Sequence, residues 1–119
     1  MKLQLGELVL LRLQFHQSAG SKVRPGVVVL DAGDDDFVAA PVTSQSRKSE
    51  FDLPSREWQA AGLNVGSSIR IHKLTVISKV EIARSLGRLS RFDREALVQS
   101  LRLAFCGREH AQAKSGEGP

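Results

Sequence analysis

Cysteine is nearly absent from this sequence. The chain carries one, Cys106, so no internal disulfide can form, which suits a reducing compartment, and the thiol is expected to pack as a small hydrophobe. A single cysteine also leaves no Cys and His set at zinc-ligand spacing. No glycine-rich phosphate loop of the P-loop type occurs, and no internal repeat is found. No apolar run approaches the roughly 20 residues that span a bilayer, and no signal peptide is read, so a cytoplasmic protein without membrane attachment is expected. Tryptophan is equally scarce. The one present, Trp58, lies between Leu53 and Leu63 and is expected in the core, with stacking on a nucleobase as the alternative. Acidic residues cluster only at Asp31 and Asp34 to Asp36, whose spacing fits no calcium loop and reads as a solvated turn around Gly33.

What the chain does contain bounds it further. Its 119 residues suffice for one domain with a real core, placed at 1–107, followed by a polar, non-periodic stretch at 108–119 that reads as a disordered tail. A formal charge of +4 and a pI near 9.7 favour a polyanionic partner. Strands are expected at 8–15, 27–30, 37–42 and 51–53, the second reading as buried on both faces because Val27, Val28, Val29 and Leu30 are all aliphatic. A polar loop at 15–26, holding His16, Lys22 and Arg24, joins the first two. Residues 55–61 have the makings of one or two helical turns capped by Ser55 and stopped by Gly62. The run 67–78 reads as one long strand, with Ile69, Ile71 and Leu74 inward and Arg70 and His72 sharing the other face.

Residues 80–86 are strand or helix by pattern, and Gly87 marks a turn. A helix then opens on Ser90, with Asp93 at capping-box spacing, and ends at Gly107. Phe92, Leu97, Val98, Leu101, Ala104 and Phe105 form its apolar stripe and are expected in the core. The class is mainly β, a β-rich α+β fold.

Three polar clusters mark the edges of these apolar strands: Lys22 with Arg24, Thr43-Ser44-Gln45, and Ser67-Ser68-Ile69-Arg70-Ile71-His72-Lys73-Leu74. Arg24 carries a permanent charge on a planar fork of donors suited to phosphate, and Pro25 biases it toward extended backbone. The clusters stand in an ordered set of motifs. Gly6-Glu7-Leu8-Val9 opens it, followed by Lys22-Val23-Arg24-Pro25 and Pro41-Val42-Thr43-Ser44. Trp58-Gln59-Ala60-Ala61-Gly62-Leu63, Ser68-Ile69-Arg70, Lys73-Leu74 and Leu86-Gly87-Arg88-Leu89-Ser90 complete it. In this order, over about residues 5–105, the chain resembles the PemK/MazF-like toxins of type II toxin-antitoxin modules, in their longer PemK-like branch.

That resemblance implies a small SH3-like β-barrel with a C-terminal helix. It implies a homodimer that cleaves single-stranded RNA at specific sequences without metal or other cofactor, and that a cognate antitoxin neutralises. The family's catalytic arginine carries to Arg24 and its catalytic hydroxyl to Thr43. His16, Lys22, Ser44, Gln45, Arg70 and Lys73 are the expected RNA contacts. Where some relatives place a carboxylate, this chain has His72. Gly26 stands where a larger apolar residue is common, and is expected to loosen the loop there.

The implied chemistry is attack of the ribose 2′-hydroxyl on the adjacent phosphorus, so the charge that builds on the phosphoryl oxygens needs fixed donors. A guanidinium and a threonine hydroxyl can supply them, but neither takes up a proton readily. Histidine changes charge near neutral pH, which makes His72, and also His16, a candidate proton carrier. Two other functions stay open on sequence grounds: a non-catalytic SH3-like nucleic-acid-binding module, and a toxin of the same fold acting on a protein such as a topoisomerase.

Overall fold

The computed structural model describes residues 2–14, 21–45 and 49–107. His16, Arg47, Lys48, His110 and the expected tail at 108–119 lie outside the described residues. The strands are β1 (Glu7–Gln14), β2 (Ser21–Leu30), β3 (Asp36–Thr43), β4 (Asp52–Pro54), β5 (Ser68–Arg70), β6 (Thr75–Ser78) and β7 (Ile82–Arg88), and one helix, α1 (Arg91–Arg102), follows. Every pairing is antiparallel, in the order β4-β5-β3-β2-β1-β7, with β6 also on β3. The curled sheet is the expected barrel-like, β-rich architecture, left open between β4 and β7 among the described residues.

The central strands are apolar without alternation because both faces of the sheet are covered. Successive side chains on a strand point to opposite faces, and adjacent residues enter different core layers. Leu8, Val27, Ala40, Val42, Ile69, Ile71 and Leu97 form the layer that includes α1, while Val9, Leu11, Val28, Phe37 and Ala39 form the other. Val27 and Val28 are fully buried as expected, but Leu30 is 60% exposed at the end of β2.

Several local expectations give way to tertiary pairing. Lys22 and Arg24 are not in a loop: β2 begins at Ser21 and pairs through both of them with β1. Gly26 lies within β2 opposite Val9, and a Cβ there would stand 2.9 Å from Leu11 Cδ1, so the glycine leaves room for the Leu11 side chain. The run 67–78 is broken because one edge of β3 is shared. Val42 and Thr43 pair with β5, Asp36 to Ala39 pair with β6, and a 3₁₀ turn at Ile71–Lys73 carries the chain between them. Pro41 sits at that changeover with no N–H to contribute.

Residues 55–61 form hydrogen-bonded turns and no helix. The Trp58 carbonyl accepts from Ala61 N (3.2 Å) and Leu63 N (3.0 Å). Ser90 caps α1, its hydroxyl accepting from Asp93 N at 3.2 Å. The Asp93 carboxylate, however, turns away from the helix and accepts from Ser55 Oγ (2.9 Å), Arg56 N (3.0 Å) and Glu57 N (2.8 Å), tying these turns to α1. Gly87 is inside β7 opposite Leu8, not in a turn. Its φ of +155°, and the 2.6 Å that would separate a Cβ from the Ala61 carbonyl oxygen, let the turns lie directly on β7.

Leu97 is fully buried under the sheet, whereas Phe92 and Phe105 are 50% and 54% exposed and do not belong to the core. The Arg56 guanidinium lies over the Phe92 ring, 5.0 Å from its centroid. Beyond Arg102 the chain widens into a π-type turn, Leu103–Gly107, and Cys106 is exposed there instead of packed. No helix among the described residues is long and apolar enough to cross a membrane.

Candidate active site

Arg24 enters the site from β2, where it pairs with Leu11 of β1. Thr43 ends β3 and pairs with Ser68 of β5. Two residues further along β5, on the same face as Ser68, stands Arg70. These strand ends enclose a cleft of about 320 Å³. Its polar wall is Arg24, Thr43, Gln45, Arg70 and Thr75, and its floor is apolar, built from Leu11, Pro25, Ala39, Pro41, Val42 and Ile77. Among the described residues, two permanent cations and no carboxylate line it, so this lining suits an anion.

The donors are fixed by neighbouring groups. Thr43 Oγ1 accepts from Gln45 N at 3.1 Å, which leaves its own O–H to donate into the cleft. Arg70 is held from behind. Its Nε donates to Asp52 Oδ1 at 2.9 Å, across the directly opposed β4–β5 pair Asp52 and Arg70. The Asp52 side chain is 1% exposed against 22% for Arg70, so the carboxylate anchors the guanidinium without facing the cleft itself. Among the described residues Asp52 Oδ2 has no hydrogen-bond partner.

His72 is exposed on the 3₁₀ turn, its Nε2 3.4 Å from Arg70 Nη2 and its ring 5.9 Å from Phe51. An arginine can only donate, so that contact requires Nε2 to carry the lone pair. His72 thus touches a cleft residue without lining the cleft. Lys73 and Lys22 are exposed and do not line it either, although Lys22 precedes Arg24 by two residues on the same face of β2. Ser44 lines a second cleft, which shares Gln45 with the first. His16 lies outside the described residues. Asp52 and Thr75 were not singled out in the sequence, because nothing local marks them and their place follows from strand register. Among the described residues no three His, Cys, Asp or Glu side chains gather as a metal-ligating group.

The fold has close counterparts among solved structures. The toxin MazF-mt6 from Mycobacterium tuberculosis superposes with a TM-score of 0.64 at 21% identity, covering 82% of this chain and 95% of that one. An endoribonuclease in complex with its cognate antitoxin, from a mycobacterial species, gives 0.68 at 15% identity, covering 84% and 91%. A MazE-MazF structure from Deinococcus radiodurans gives 0.67 at 16%, covering 89% and 97%. At such identities these likenesses establish the fold alone. No curated protein matches the sequence significantly. The family follows from the sequence itself, because a model of the PemK-like, MazF-like toxins matches residues 4–105, nearly the whole domain that carries the cleft. This chain therefore belongs to the PemK-like, MazF-like toxins of type II toxin-antitoxin systems.

Proposed function

We propose that this toxin is a metal-independent endoribonuclease that cuts single-stranded RNA by attack of the ribose 2′-hydroxyl on the neighbouring phosphorus. The observation that carries the reading is the meeting of Arg24, Thr43 and Arg70, from three different strands, around one cleft with no carboxylate among its described lining residues. A phosphodiester seated there places its non-bridging oxygens against two guanidinium groups and a threonine O–H. Thr43 and Arg70 are held by their neighbours before the reaction, so they favour the extra charge of the transition state without reorganisation. The nucleophile belongs to the substrate, so no metal is required to generate one.

A proton must leave the 2′-hydroxyl and another must reach the departing 5′-oxygen. His72, in contact with Arg70, is assigned to this exchange. Lys22 and Lys73 extend positive charge beyond the cleft and hold flanking phosphates in the ground state. The same charge gives an acidic antitoxin segment its landing place over Lys22, Arg24 and Arg70.

Purified protein in EDTA is expected to cut single-stranded RNA, leaving a 2′,3′-cyclic phosphate and a 5′-hydroxyl. A substrate with a 2′-deoxy nucleotide at the cut must be inert. Arg24→Ala lowers turnover by about 100-fold or more, because the arginine meets charge that develops mainly in the transition state. RNA binding largely persists in that variant. Cutting that survives Arg24→Ala refutes the mechanism, and His72→Ala should lower turnover while RNA binding persists.

A further inference from the structure

The second cleft, about 330 Å³, lies along the line of β5 from the first. Its walls include Ser44, Gln45, Ser67 and Ser68, and Trp58 supplies its aromatic surface. Trp58 is half-buried, and neither core layer includes it among the described residues. Its place is nevertheless fixed. The Asp93 carboxylate holds the two preceding backbone N–H groups, and the Trp58 carbonyl accepts two bonds from the turn that follows. The backbone that carries the indole is thus preorganised, and the core layers do not use the ring.

We propose that this cleft is a nucleobase subsite, in which Trp58 stacks on one base of the RNA whose phosphate sits at Arg24 and Arg70. The inference rests on the endoribonuclease reading. Two observations tie the clefts together. Gln45 lines both, and Ser68 pairs directly with Thr43 while preceding Arg70 by two residues, about 7 Å along the strand. A base presents a flat π face and an edge of donors and acceptors. The first fits the indole, and the second fits the Gln45 amide with the Ser44 and Ser68 hydroxyls. A stack of this kind is tolerant of base identity, so any sequence preference here falls to the amide and hydroxyls.

The chain has one tryptophan and no tyrosine, so its near-ultraviolet emission reports Trp58 alone. The test is a titration with an RNA oligonucleotide carrying a 2′-deoxy nucleotide at the cut, followed by Trp58 emission and, separately, by anisotropy of a labelled copy. Saturable quenching with the same midpoint as the anisotropy is expected. Trp58→Ala should weaken binding about 5- to 150-fold, Trp58→Phe should retain most of it, and both should keep the wild-type circular dichroism spectrum. If Trp58→Ala fails to fold, quenching and the Trp58→Phe affinity decide the matter. Oligonucleotides made abasic one position at a time should identify a single position whose loss abolishes quenching.

Binding with unchanged emission, or quenching that survives every abasic substitution, overturns the subsite while leaving the nuclease reading intact. Quenching without cleavage of the all-ribose strand overturns the nuclease reading and leaves the subsite standing. Absence of any binding overturns both.

Discussion

Among the described residues three aspartates are buried, and their hydrogen bonds separate them. Asp31 accepts from Leu3 N, Gly33 N and Lys79 Nζ, and Asp93 from Ser55 Oγ, Arg56 N and Glu57 N, so both are satisfied within the framework. Asp52 has Arg70 on one oxygen and nothing on the other. Burying a carboxylate costs several kcal/mol unless its lone pairs are used, so this one is a poor structural device and a good means of aiming a guanidinium. Asp52→Ala should therefore lower turnover by about 10- to 100-fold through misplacement of Arg70, with little loss of thermal stability. In an Arg70→Ala background the same substitution should cost almost nothing; additive losses in the double variant would contradict the assignment. Arg24 and Thr43 were picked out by the family motifs that hold them, and both line the cleft. Asp52 was not, because its partner lies 18 residues away and is reached only through the β4–β5 register.

At the level of elements, Asp31 fastens the N-terminal segment to the turn after β2 and to Lys79 after β6. The Leu3 N–H bond, then those from Gly33 and Lys79, outweigh burial and hold its pKa near 2, below the ordinary 3.8. A carboxylate with a depressed pKa stabilises the fold fully above its unfolded value and loses that contribution as pH falls through the folded one. The stability difference between wild type and Asp31→Asn should be constant above about pH 5 and shrink steadily toward pH 2. A difference independent of pH over that window would contradict the assignment.

The apolar strands themselves were readable wherever consecutive aliphatics signalled burial on both faces. The break at residues 71–73 was not, since it arises from two strands sharing one edge of β3. The helical signal at 55–61 was real but overruled: Asp93 takes the Arg56 and Glu57 N–H groups, and the Ser55 hydroxyl donates to the same carboxylate in place of capping a local turn.

For the molecule as a whole, one cleft of about 320 Å³ is small against the several nucleotides that a single-stranded RNA groove holds. A two-fold partner lengthens such a groove without new folds. Light scattering at micromolar concentration should return about twice the 13.0 kDa chain mass, and a monomer binding RNA at full affinity would remove this argument. The turn that ends α1 leaves Cys106, the only thiol, in solvent, while the only indole lies on the Gln45 side of the cleft. An exposed thiol is open to alkylation, so a maleimide dye attaches at one known position with no engineering. Excited from Trp58, it turns the unmodified sequence into a donor–acceptor pair whose energy transfer reports the distance between the helix end and the cleft in the RNA-free protein.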